Sequence, residues 1–308
     1  MKNFDQNMLE CIDIKPNKLK RLLRKINWLF SVYLPARHDA TVLTRNGLLT
    51  FDSKDKTTGR ILHVYRNHEF EDMMEIVAFL REKGVLASDC DGTVVDVGGY
   101  IGMSSTAFLL EKIFKKSLAF EPSPVNYNLL LKNIENNGLT DSLRAFNIAL
   151  SDKNGELGFE LSEKNYGDHR IRNNTDIKKG HFGEEAREVI VVPARKFDDF
   201  LIEHTEIEQS DIRLIWMDVQ GHEAKFISGA RQFLTNHPDV PVMMEFWPYA
   251  ILRSGVTKTE FSELVGSMFK KFYSFGNDGF KEYEIADIGG YFERNTDPEG
   301  GTAIMLTN

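Results

Sequence analysis

Five apolar segments of this chain each end in, or are followed at once by, a residue with a carboxyl or amide side chain. These residues are Asp96, Glu121, Asn147, Asp218 and Glu245. If the segments are parallel strands of one sheet, their carboxyl ends meet at one edge, where ligands bind in open α/β sheets. Any one of them could instead cap a helix, since Asp and Asn are common at that position. The set as a whole predicts a ligand site rich in hydrogen-bond acceptors.

Residues 96–102 predict a tight turn between a strand and a helix. The three glycines of this turn would let the backbone come close to a ligand. Glu121 follows about 20 residues later, where an acid commonly holds ribose hydroxyls. The spacing G-G-x-x-G differs from the G-x-G-x-x-G of dinucleotide-binding enzymes, and Asp96 would repel a pyrophosphate. The turn therefore favours a ligand with a positive amino or sulfonium group, although a plain tight turn has the same pattern.

Residues able to transfer a proton lie near the later strand ends. The candidates are Asp218, His222 and Glu245, followed by Glu223 and His169. His222 stands at a predicted helix start, where the helix dipole disfavours the imidazolium and leaves the ring able to accept a proton. A surface histidine in a first helical turn is the more common explanation, and Glu223 could only complement the same dipole. An exposed loop histidine is likewise the more common explanation for His169.

A divalent cation is the alternative use of these acids. Asp218, Glu223 and Glu245 could hold one through oxygen ligands. Nothing in their spacing requires it, so we predict no metal.

The composition is that of a globular protein with an acidic balance. The chain has 308 residues and a formal net charge of −8, which leaves no basic footprint for nucleic acid. Cys11 and Cys90 have neither a metal-binding spacing nor a disulfide framework, so we expect a reducing, cytoplasmic location. The sequence has no signal-peptide layout and no apolar run of about 20 residues, which predicts no transmembrane segment.

Apolar patterns of strand and helix type alternate from residue 94 onward. The alternation predicts an α/β fold with a mostly parallel, doubly wound sheet, in a domain over residues 91–308. The predicted strands are 94–97, 117–120, 143–147, 212–217, 240–246 and 303–306, and the predicted helices are 103–114, 125–136, 198–204, 223–233 and 259–270.

Residues 1–90 are predicted to form an N-terminal cap of helices and short antiparallel strands. Residues 40–66 alternate apolar and polar residues, with turn signals at Asn46-Gly47 and Thr58-Gly59, which favours short antiparallel strands. Residues 69–83 have helical spacing. We expect this segment to cover the main domain and not to act as a catalytic unit of its own.

Two further segments have two interpretations each. Residues 15–34 combine basic residues with an apolar run. We prefer a helix that packs over one edge of the sheet, and the alternative is peripheral contact of a basic amphipathic helix with a membrane. Residues 162–188 are polar and contain His169. They predict a loop at the mouth of the site or a disordered surface excursion, and long loops in compact domains are more often functional or mobile than neutral.

Several sequence blocks occur in the order and spacing of one known family. Together they resemble the FkbM-type methyltransferases, a branch of the S-adenosylmethionine (SAM)-dependent class, over roughly residues 40–250. The resemblance implies a Rossmann-like, seven-stranded sheet. The matching blocks are DVGGYIG at 96–102, FEPSP at 120–124, KN at 132–133, NG at 137–138, NIALSD at 147–152, MDVQGHE at 217–223 and MEF at 244–246.

The resemblance also implies which residues hold SAM. The backbone near the glycine turn would bind the methionine part, Glu121 would accept hydrogen bonds from the ribose hydroxyls, and Asp218 would lie near the sulfonium. Pro122, with Ala149 and Leu150, would flank the adenine, with Asn147 and Ser151 close by. The full set of implied cofactor-binding residues is Asp96, Gly98, Gly99, Tyr100, Gly102, Glu121, Pro122, Asn147, Ala149, Leu150 and Asp218.

This chain departs from the family pattern at two places. Gly99 and Tyr100 stand where the family usually has Ala and Asn, and Gln220 stands where it usually has Glu. Tyr100 is bulky and bears on the packing around SAM. Gln220 can orient a partner by hydrogen bonding but cannot accept a proton as a carboxylate does.

The resemblance implies O-methylation of a hydroxyl on a sugar or natural product, with SAM as cofactor and S-adenosylhomocysteine (SAH) as product. Such a reaction depends on alignment and on a base for the hydroxyl proton. Two alternatives stay open: an NAD(P)-dependent oxidoreductase with the same strand–turn–helix unit, and a catalytically silent SAM-binding or interaction module. The expected partner is a small-molecule or saccharide acceptor and not a nucleic acid. The sequence leaves the oligomeric state open, including a homodimer.

Overall fold

The structure is a computed structural model that describes residues 9, 12–33, 39–87, 90–172, 180–276 and 279–308. Cys11 and Leu34, which belong to two of the predictions above, lie outside these residues, as does 173–179 of the polar segment. Cys90 is a free thiol.

Residues 12–33 and 39–87 of the N-terminal part form three helices and a hairpin. These elements are α1 (Lys18–Tyr33), β1 (Asp39–Thr44), β2 (Gly47–Asp52), α2 (Thr58–Tyr65) and α3 (Phe70–Glu82). The hairpin turns at Arg45-Asn46, and Gly47 of the predicted turn signal is the first residue of β2, paired with Thr44. The prediction of a strand after Thr58-Gly59 is wrong, because this pair opens α2, which buries Leu62 in a cluster with Trp28 and Phe51. Alternation over so few residues does not distinguish a strand from a short buried helix.

The preferred interpretation of residues 15–34 is also wrong. α1 does not pack its apolar residues over the sheet, since Trp28 is its one buried residue. Seven large apolar side chains of α1 are exposed instead.

The first half of the main domain forms one side of the central sheet and a small second sheet. Its elements are β3 (Thr93–Val97), α4 (Met103–Leu110), β4 (Lys116–Phe120), α5 (Pro124–Asn136), β5 (Leu143–Phe146), β6 (Ala149–Leu150), β7 (Gly155–Leu161), β8 (Arg170–Arg172) and β9 (Glu188–Arg195). The segment 162–188 therefore contains β8 and the start of β9, and it is not one continuous loop.

The second half completes the central sheet. Its elements are α6 (Phe197–Glu203), β10 (Ile212–Met217), α7 (Glu223–Gly229), α8 (Arg231–Asn236), β11 (Val242–Phe246), α9 (Pro248–Arg253), α10 (Lys258–Gly266), β12 (Lys271–Gly276), β13 (Gly279–Glu284), α11 (Ile288–Arg294) and β14 (Thr302–Thr307). The predicted helix 223–233 is two helices. Gly229 packs so closely against Ser151 that a Cβ there would lie 1.9 Å from the Ser151 carbonyl oxygen.

The described strands of the central sheet run in the order β13-β12-β14-β11-β10-β3-β4-β5. The five from β11 to β5 pair in parallel, and β14 lies antiparallel between β11 and β12. The prediction of a mostly parallel α/β sheet is confirmed. The sheet has eight strands where seven were expected, because β13 pairs antiparallel with β12 and adds one strand at the edge. All five residues of β3 are buried, as expected of a central parallel strand covered on both faces.

Two asparagines join the N-terminal hairpin to the main domain. Asn133 of α5 and Asn137, which directly follows this helix, accept the backbone N–H groups of Thr50 and Leu48 at 2.6 and 2.8 Å. Their amide nitrogens donate back to the carbonyls of the same two residues. The side chains thereby satisfy the edge of β2 as a neighbouring strand would. The KN and NG blocks thus have a structural role, which is to dock the hairpin on α5.

Candidate active site

A cavity of about 890 Å³ opens at the carboxyl ends of β3, β4, β10 and β11. This is the edge where open α/β sheets bind ligands, and the volume is within the range of small-molecule sites. The cavity sides are closed by the start of α2, the two residues before α3 and residues 162–169. The polar segment therefore lies against the site, in agreement with the first of its two interpretations.

The glycine turn uses its backbone N–H groups within the protein. Gly98 and Gly99 both donate to the Phe120 carbonyl, at 3.0 and 2.9 Å, and Gly102 donates to the Gly99 carbonyl at 2.6 Å. These donors are not available to a phosphate group, which would need them. This arrangement agrees with the prediction that the turn does not receive a pyrophosphate.

The glycines are required by packing within the protein and by backbone conformation. Gly98 has φ +88°, and a Cβ there would lie 1.9 Å from the Asp218 carbonyl oxygen. Gly102 has φ +79°, and a Cβ there would lie 2.3 Å from a methyl carbon of Leu130. Gly98 and Gly99 line the cavity, whereas Gly102 lies outside its lining. The expectation that all three glycines make room for a ligand therefore does not hold for Gly102.

Tyr100 connects the turn to the acid at the end of β4. Its backbone has φ +48°, which is uncommon for a residue with a side chain. In this conformation its N–H donates to Glu121 Oε2 at 2.9 Å. Its hydroxyl donates to Asp55, at the end of the N-terminal hairpin. The large side chain is thus anchored between the two parts of the chain.

Glu121 is a buried carboxyl group that lines the cavity. It is 4% exposed, and its Oε1 accepts the N–H of Ser123 at 2.8 Å. Burial raises the pKa of Glu121 to about 8, because a charged carboxylate loses its hydration there. Each oxygen keeps a further lone pair for a hydroxyl donor. Glu121 is therefore placed to hold a diol. Its carboxyl group must lose its proton for both oxygens to accept hydrogen bonds.

The residues beside Glu121 divide into a wall and a support. Pro122, Ala149 and Leu150 line the cavity with apolar surface. Asn147 does not line it. The Asn147 amide donates to the carbonyls of Glu121 and Pro122 at 2.8 and 3.1 Å, so it positions their backbone.

Asp96 lines the cavity but directs its carboxyl group inward. It is 2% exposed and accepts the hydroxyl of Ser105 on α4, which in turn bonds to Ser117. Burial raises the pKa of Asp96 to about 6. The hydrogen bonds that hold its carboxyl group come from within the fold.

Two carboxyl groups and an amide form a cluster at the ends of β10 and β11. Gln220 Nε2 donates to Asp218 Oδ1 at 2.6 Å and to Glu245 Oε2 at 2.8 Å. The same amide therefore brings Asp218 and Glu245 side by side, close enough for their charges to interact. Gln220 has φ +54°, and this strained backbone turns its amide between the two acids. The cluster combines residues 25 positions apart in the sequence.

The two acids titrate as an interacting pair, because the charge of Asp218 acts on Glu245. Burial, and then the charge of Asp218, raises the pKa of Glu245 well above its ordinary value. Burial raises the pKa of Asp218 to about 6. Asp218 is nevertheless exposed and lines the cavity, because the atoms that surround it and raise its pKa are those of the cavity walls. The raised pKa of Glu245 favours its protonated form beside Asp218, and Asp218 is the more exposed of the two acids.

His222 and Glu223 are placed as supports of the loop after β10. His222 is 3% exposed, and its Nε2 lies 2.9 Å from the Ser151 hydroxyl. Burial lowers the pKa of His222 to about 4, so the ring is neutral, as predicted. The residue lines the cavity, but little of its surface is exposed. Glu223 is outside the lining and accepts the N–H of Gly221 at 3.1 Å. Burial raises the pKa of Glu223 to about 7.

His169 lines the cavity with one ring nitrogen engaged. Its Nδ1 accepts the N–H of Ser162 at 2.9 Å, so the neutral ring carries its proton on Nε2. That tautomer has no free acceptor to serve as a base. Among the described residues, no group of His, Cys, Asp and Glu has an arrangement suited to a metal ion.

A sequence profile described as the Methyltransferase FkbM domain matches residues 96–276. This range is more than half of the chain. The chain belongs to the FkbM methyltransferase family.

The 2-O-methyltransferase NoeI of Sinorhizobium fredii is 32% identical over 152 residues, which cover 47% of this chain and 60% of NoeI. The chain thus matches less than two thirds of this curated relative. The crystal structure of the methyltransferase FkbM from Methylobacillus flagellatus has a TM-score of 0.40 and 14% identity, with 80% of this chain and 52% of that chain covered. A putative transferase from Pyrococcus horikoshii has a TM-score of 0.40 and 11% identity, with 88% and 72% covered.

In this FkbM-family protein, Gln220 stands where the family usually has Glu. Its amide donates to both Asp218 and Glu245. This geometry agrees with the interpretation that Gln220 orients its partners by hydrogen bonding.

Several cavity residues of this family member were not predicted from the sequence. His68 and Glu69 precede α3, and Phe182 and Trp247 line the opposite side with their rings 5.6 Å apart. A Trp two residues after the strand-end acid Glu245 was a usable signal, because aromatic residues are common in binding pockets. Nothing in the spacing of His68 and Glu69 indicated that the fold brings them to the cavity.

A buried network of ions supports this side of the site. Arg170 is 5% exposed and pairs with Asp168, and its guanidinium lies 5.1 Å from the centre of the Trp247 ring. Arg187 lines the cavity and also pairs with Asp168. Breaking such a buried pair leaves an uncompensated charge, so this network holds the cavity wall in one arrangement.

Proposed function

We propose that this protein is a SAM-dependent O-methyltransferase that acts on a hydroxyl of a saccharide or related natural product. The observation that carries the proposal is one cavity that combines a buried diol-binding acid, Glu121, with an accessible base, Asp218. The two residues lie at the ends of strands that are two positions apart in the sheet, or about 10 Å. A site of this span suits a nucleoside-type cofactor beside an acceptor.

The residues of the cavity fit SAM. Glu121 offers two carboxyl oxygens to ribose hydroxyls, and Pro122, Ala149 and Leu150 offer an apolar wall for the adenine ring. The inward-facing N–H groups of the glycine turn argue against a nicotinamide dinucleotide, whose pyrophosphate needs such donors. SAM supplies a methyl group on a sulfonium, which is already a good leaving group.

The chain's own residues then have to orient the acceptor and take up its proton. Asp218 is ionised near neutral pH and accepts the hydroxyl proton of the acceptor. Glu245 retains its proton, and Gln220 holds the two acids in register. General base catalysis of this kind typically contributes about 10²–10⁴-fold, and alignment supplies much of the remainder.

The acceptor class is supported by the chemistry of the cavity wall. Residues 162–169 contribute many polar side chains, and Phe182 and Trp247 contribute aromatic surface. A hydroxyl-rich molecule with one apolar ring face would satisfy both. The 2-O-methylation in the name of NoeI supports the same acceptor class.

The first experiment is calorimetric titration of the protein with SAH. We expect micromolar binding to the wild type and strong weakening in Glu121→Ala. Glu135→Ala is the matched control, since Glu135 is exposed on α5. Absence of binding to the folded wild type would remove the proposal, and titration with nicotinamide cofactors would follow.

The second experiment follows transfer of labelled methyl groups from SAM to a panel of oligosaccharides. We expect base-stable incorporation into a hydroxyl, with Asp218→Asn inactive but still able to bind SAH. SAH binding without transfer to any hydroxylated acceptor would favour the silent binding module instead.

A further inference from the structure

The first helix, α1, presents an apolar stripe to solvent. Seven large side chains along it are between 41% and 81% exposed. At about 100° per residue, they lie within roughly 120° of the helix circumference. They are Leu19, Leu22, Leu23, Ile26, Leu29, Phe30 and Tyr33. Scattered apolar residues on a surface are ordinary, but a contiguous stripe of this kind marks an interaction site.

The opposite side of α1 is anchored to the protein, so the stripe cannot simply rotate inward. Trp28 is 3% exposed, with its ring 5.4 Å from that of His63 on α2. Arg24 donates to the Val64 carbonyl at 2.9 Å, and Lys54 donates to the Val32 carbonyl at 2.6 Å. These contacts fix the helix with its apolar stripe outward.

Basic residues flank the stripe. Lys18 and Lys25 are exposed, and Arg21 is partly exposed, in a chain whose net charge is −8. Lys20 is also exposed but pairs with Asp13 at 2.7 Å. α1 contains no acidic residue. This local positive charge complements an anionic surface. It opposes symmetric pairing of α1 with the same helix of a second copy, because such pairing would bring the lysines together.

We propose that α1 binds the surface of an anionic phospholipid bilayer, with its apolar stripe among the acyl chains and its lysines at the headgroups. An amphipathic helix with Leu and Phe on one face and Lys and Arg at its borders binds in this way. Among the described residues, no helix is long and apolar enough to cross a membrane. With 16 residues, α1 is shorter than the roughly 20 of a spanning helix, so the proposal places it in the plane of the interface.

This placement has a consequence for the cavity. α2, which contacts Trp28 through His63, begins at Thr58, and Thr58 lines the cavity. Membrane-bound α1 would hold the cavity close to the bilayer. The proposal does not depend on the methyl transfer proposed above.

The test is flotation of the full chain with phosphatidylcholine vesicles, with and without phosphatidylglycerol. We expect binding to the anionic vesicles and a loss of more than about tenfold in the Leu23→Glu/Phe30→Glu variant. Val191→Glu/Ile202→Glu is the matched control. Its residues are 67% and 65% exposed, against 58% and 71% for the first pair, but lie outside α1. We expect the control to bind as the wild type does.

A second variant tests the charge. Lys18→Gln/Lys25→Gln should weaken binding to the anionic vesicles by about fivefold for each lysine. It should leave any binding to pure phosphatidylcholine unchanged. Added salt should weaken the wild type in the same direction.

Three results would overturn the proposal. One is absence of wild-type binding to anionic vesicles. Another is equal binding by Leu23→Glu/Phe30→Glu, once circular dichroism has shown that this variant is folded. The third is a wild-type dimer in light scattering that this variant converts to a monomer without any vesicle binding, which would identify a second copy as the occupant.

Discussion

The two ends of the cavity are built in different ways. At one end, Glu121 is held by backbone N–H groups of Tyr100 and Ser123, within one strand–helix–strand unit. At the other end, Asp218 and Glu245 come from two strands and are held by side chains, chiefly the Gln220 amide. Backbone donors fix an acid whatever its charge, whereas the second arrangement depends on where one proton lies. The first end is therefore suited to binding and the second to proton transfer.

The largest expected effect separates these roles at Asp218. Asp218→Asn should lower kcat by about 10²–10⁴-fold while SAH affinity changes by less than about threefold, because only the base is lost. Below about pH 6 the wild-type rate should fall as Asp218 becomes protonated. Initial rates and SAH titrations measure both. Asp141→Asn, at an exposed site, is the control, and equal losses of kcat and SAH affinity in Asp218→Asn would contradict the division of roles.

The next effect tests the binding end. Glu121→Gln should weaken SAH by about 100-fold, since two charge-assisted hydrogen bonds become weaker or are lost. The value of kcat at saturating SAM should stay within about threefold of the wild type. Steady-state kinetics with varied SAM would check this. A fall in kcat as large as that of Asp218→Asn would show that the two ends do not act separately.

A smaller effect concerns protons at the binding end. The pKa of Glu121 is raised to about 8 without ligand, whereas ribose hydroxyls bind the ionised form. SAH binding should therefore release a proton near pH 7, and affinity should rise up to about tenfold per pH unit until pH 8. Calorimetry in buffers of different ionisation enthalpy measures the release. Glu121→Gln should show none, and a flat affinity between pH 6 and 8 in the wild type would refute this account.

The smallest effect is on stability. The pKa of Glu223 is raised to about 7 by burial, and its Oε2 has no hydrogen-bond partner among the described residues. The raised pKa means that the protonated form of Glu223 is favoured by the folded state. The resulting stabilisation is fully present below about pH 4.5 and is lost as the pH rises through 7. Glu223→Gln should be about 1–3 kcal/mol more stable than the wild type at pH 8 and nearly equal at pH 5. Urea unfolding at the two pH values is the measurement, and the same difference at both would exclude a charge effect.

The order of strands and helices along β3, α4, β4 and α5 was predictable because it depends on short-range patterns. Runs of Val and Ile and the turn at Asn137-Gly138 act within a few residues. The strands of the second sheet and the hairpin β12–β13 were not predicted. In β7 to β9 polar residues interrupt the alternation, and their pairing depends on partners up to 39 positions apart.

The candidate site was predictable as a set of strand-end residues and not as an arrangement. The positions of Glu121, Asp218 and Glu245 at one edge follow from parallel strands. The inward turn of Asp96, the support role of Asn147 and the exclusion of Gly102 from the lining depend on hydrogen bonds and close contacts with other elements. The sequence pattern has no information about those directions.

What the sequence alone determined is therefore the sheet, its ligand-binding edge and the acids along that edge, since periodicity and glycine conformation act locally. Only the tertiary structure decided that Asp218 and Glu245 lie together with the pKa of Glu245 raised, that His222 is buried against Ser151, and which side of α1 faces solvent. Each of these depends on desolvation or packing by residues distant in the chain. A local pattern does not specify such neighbours.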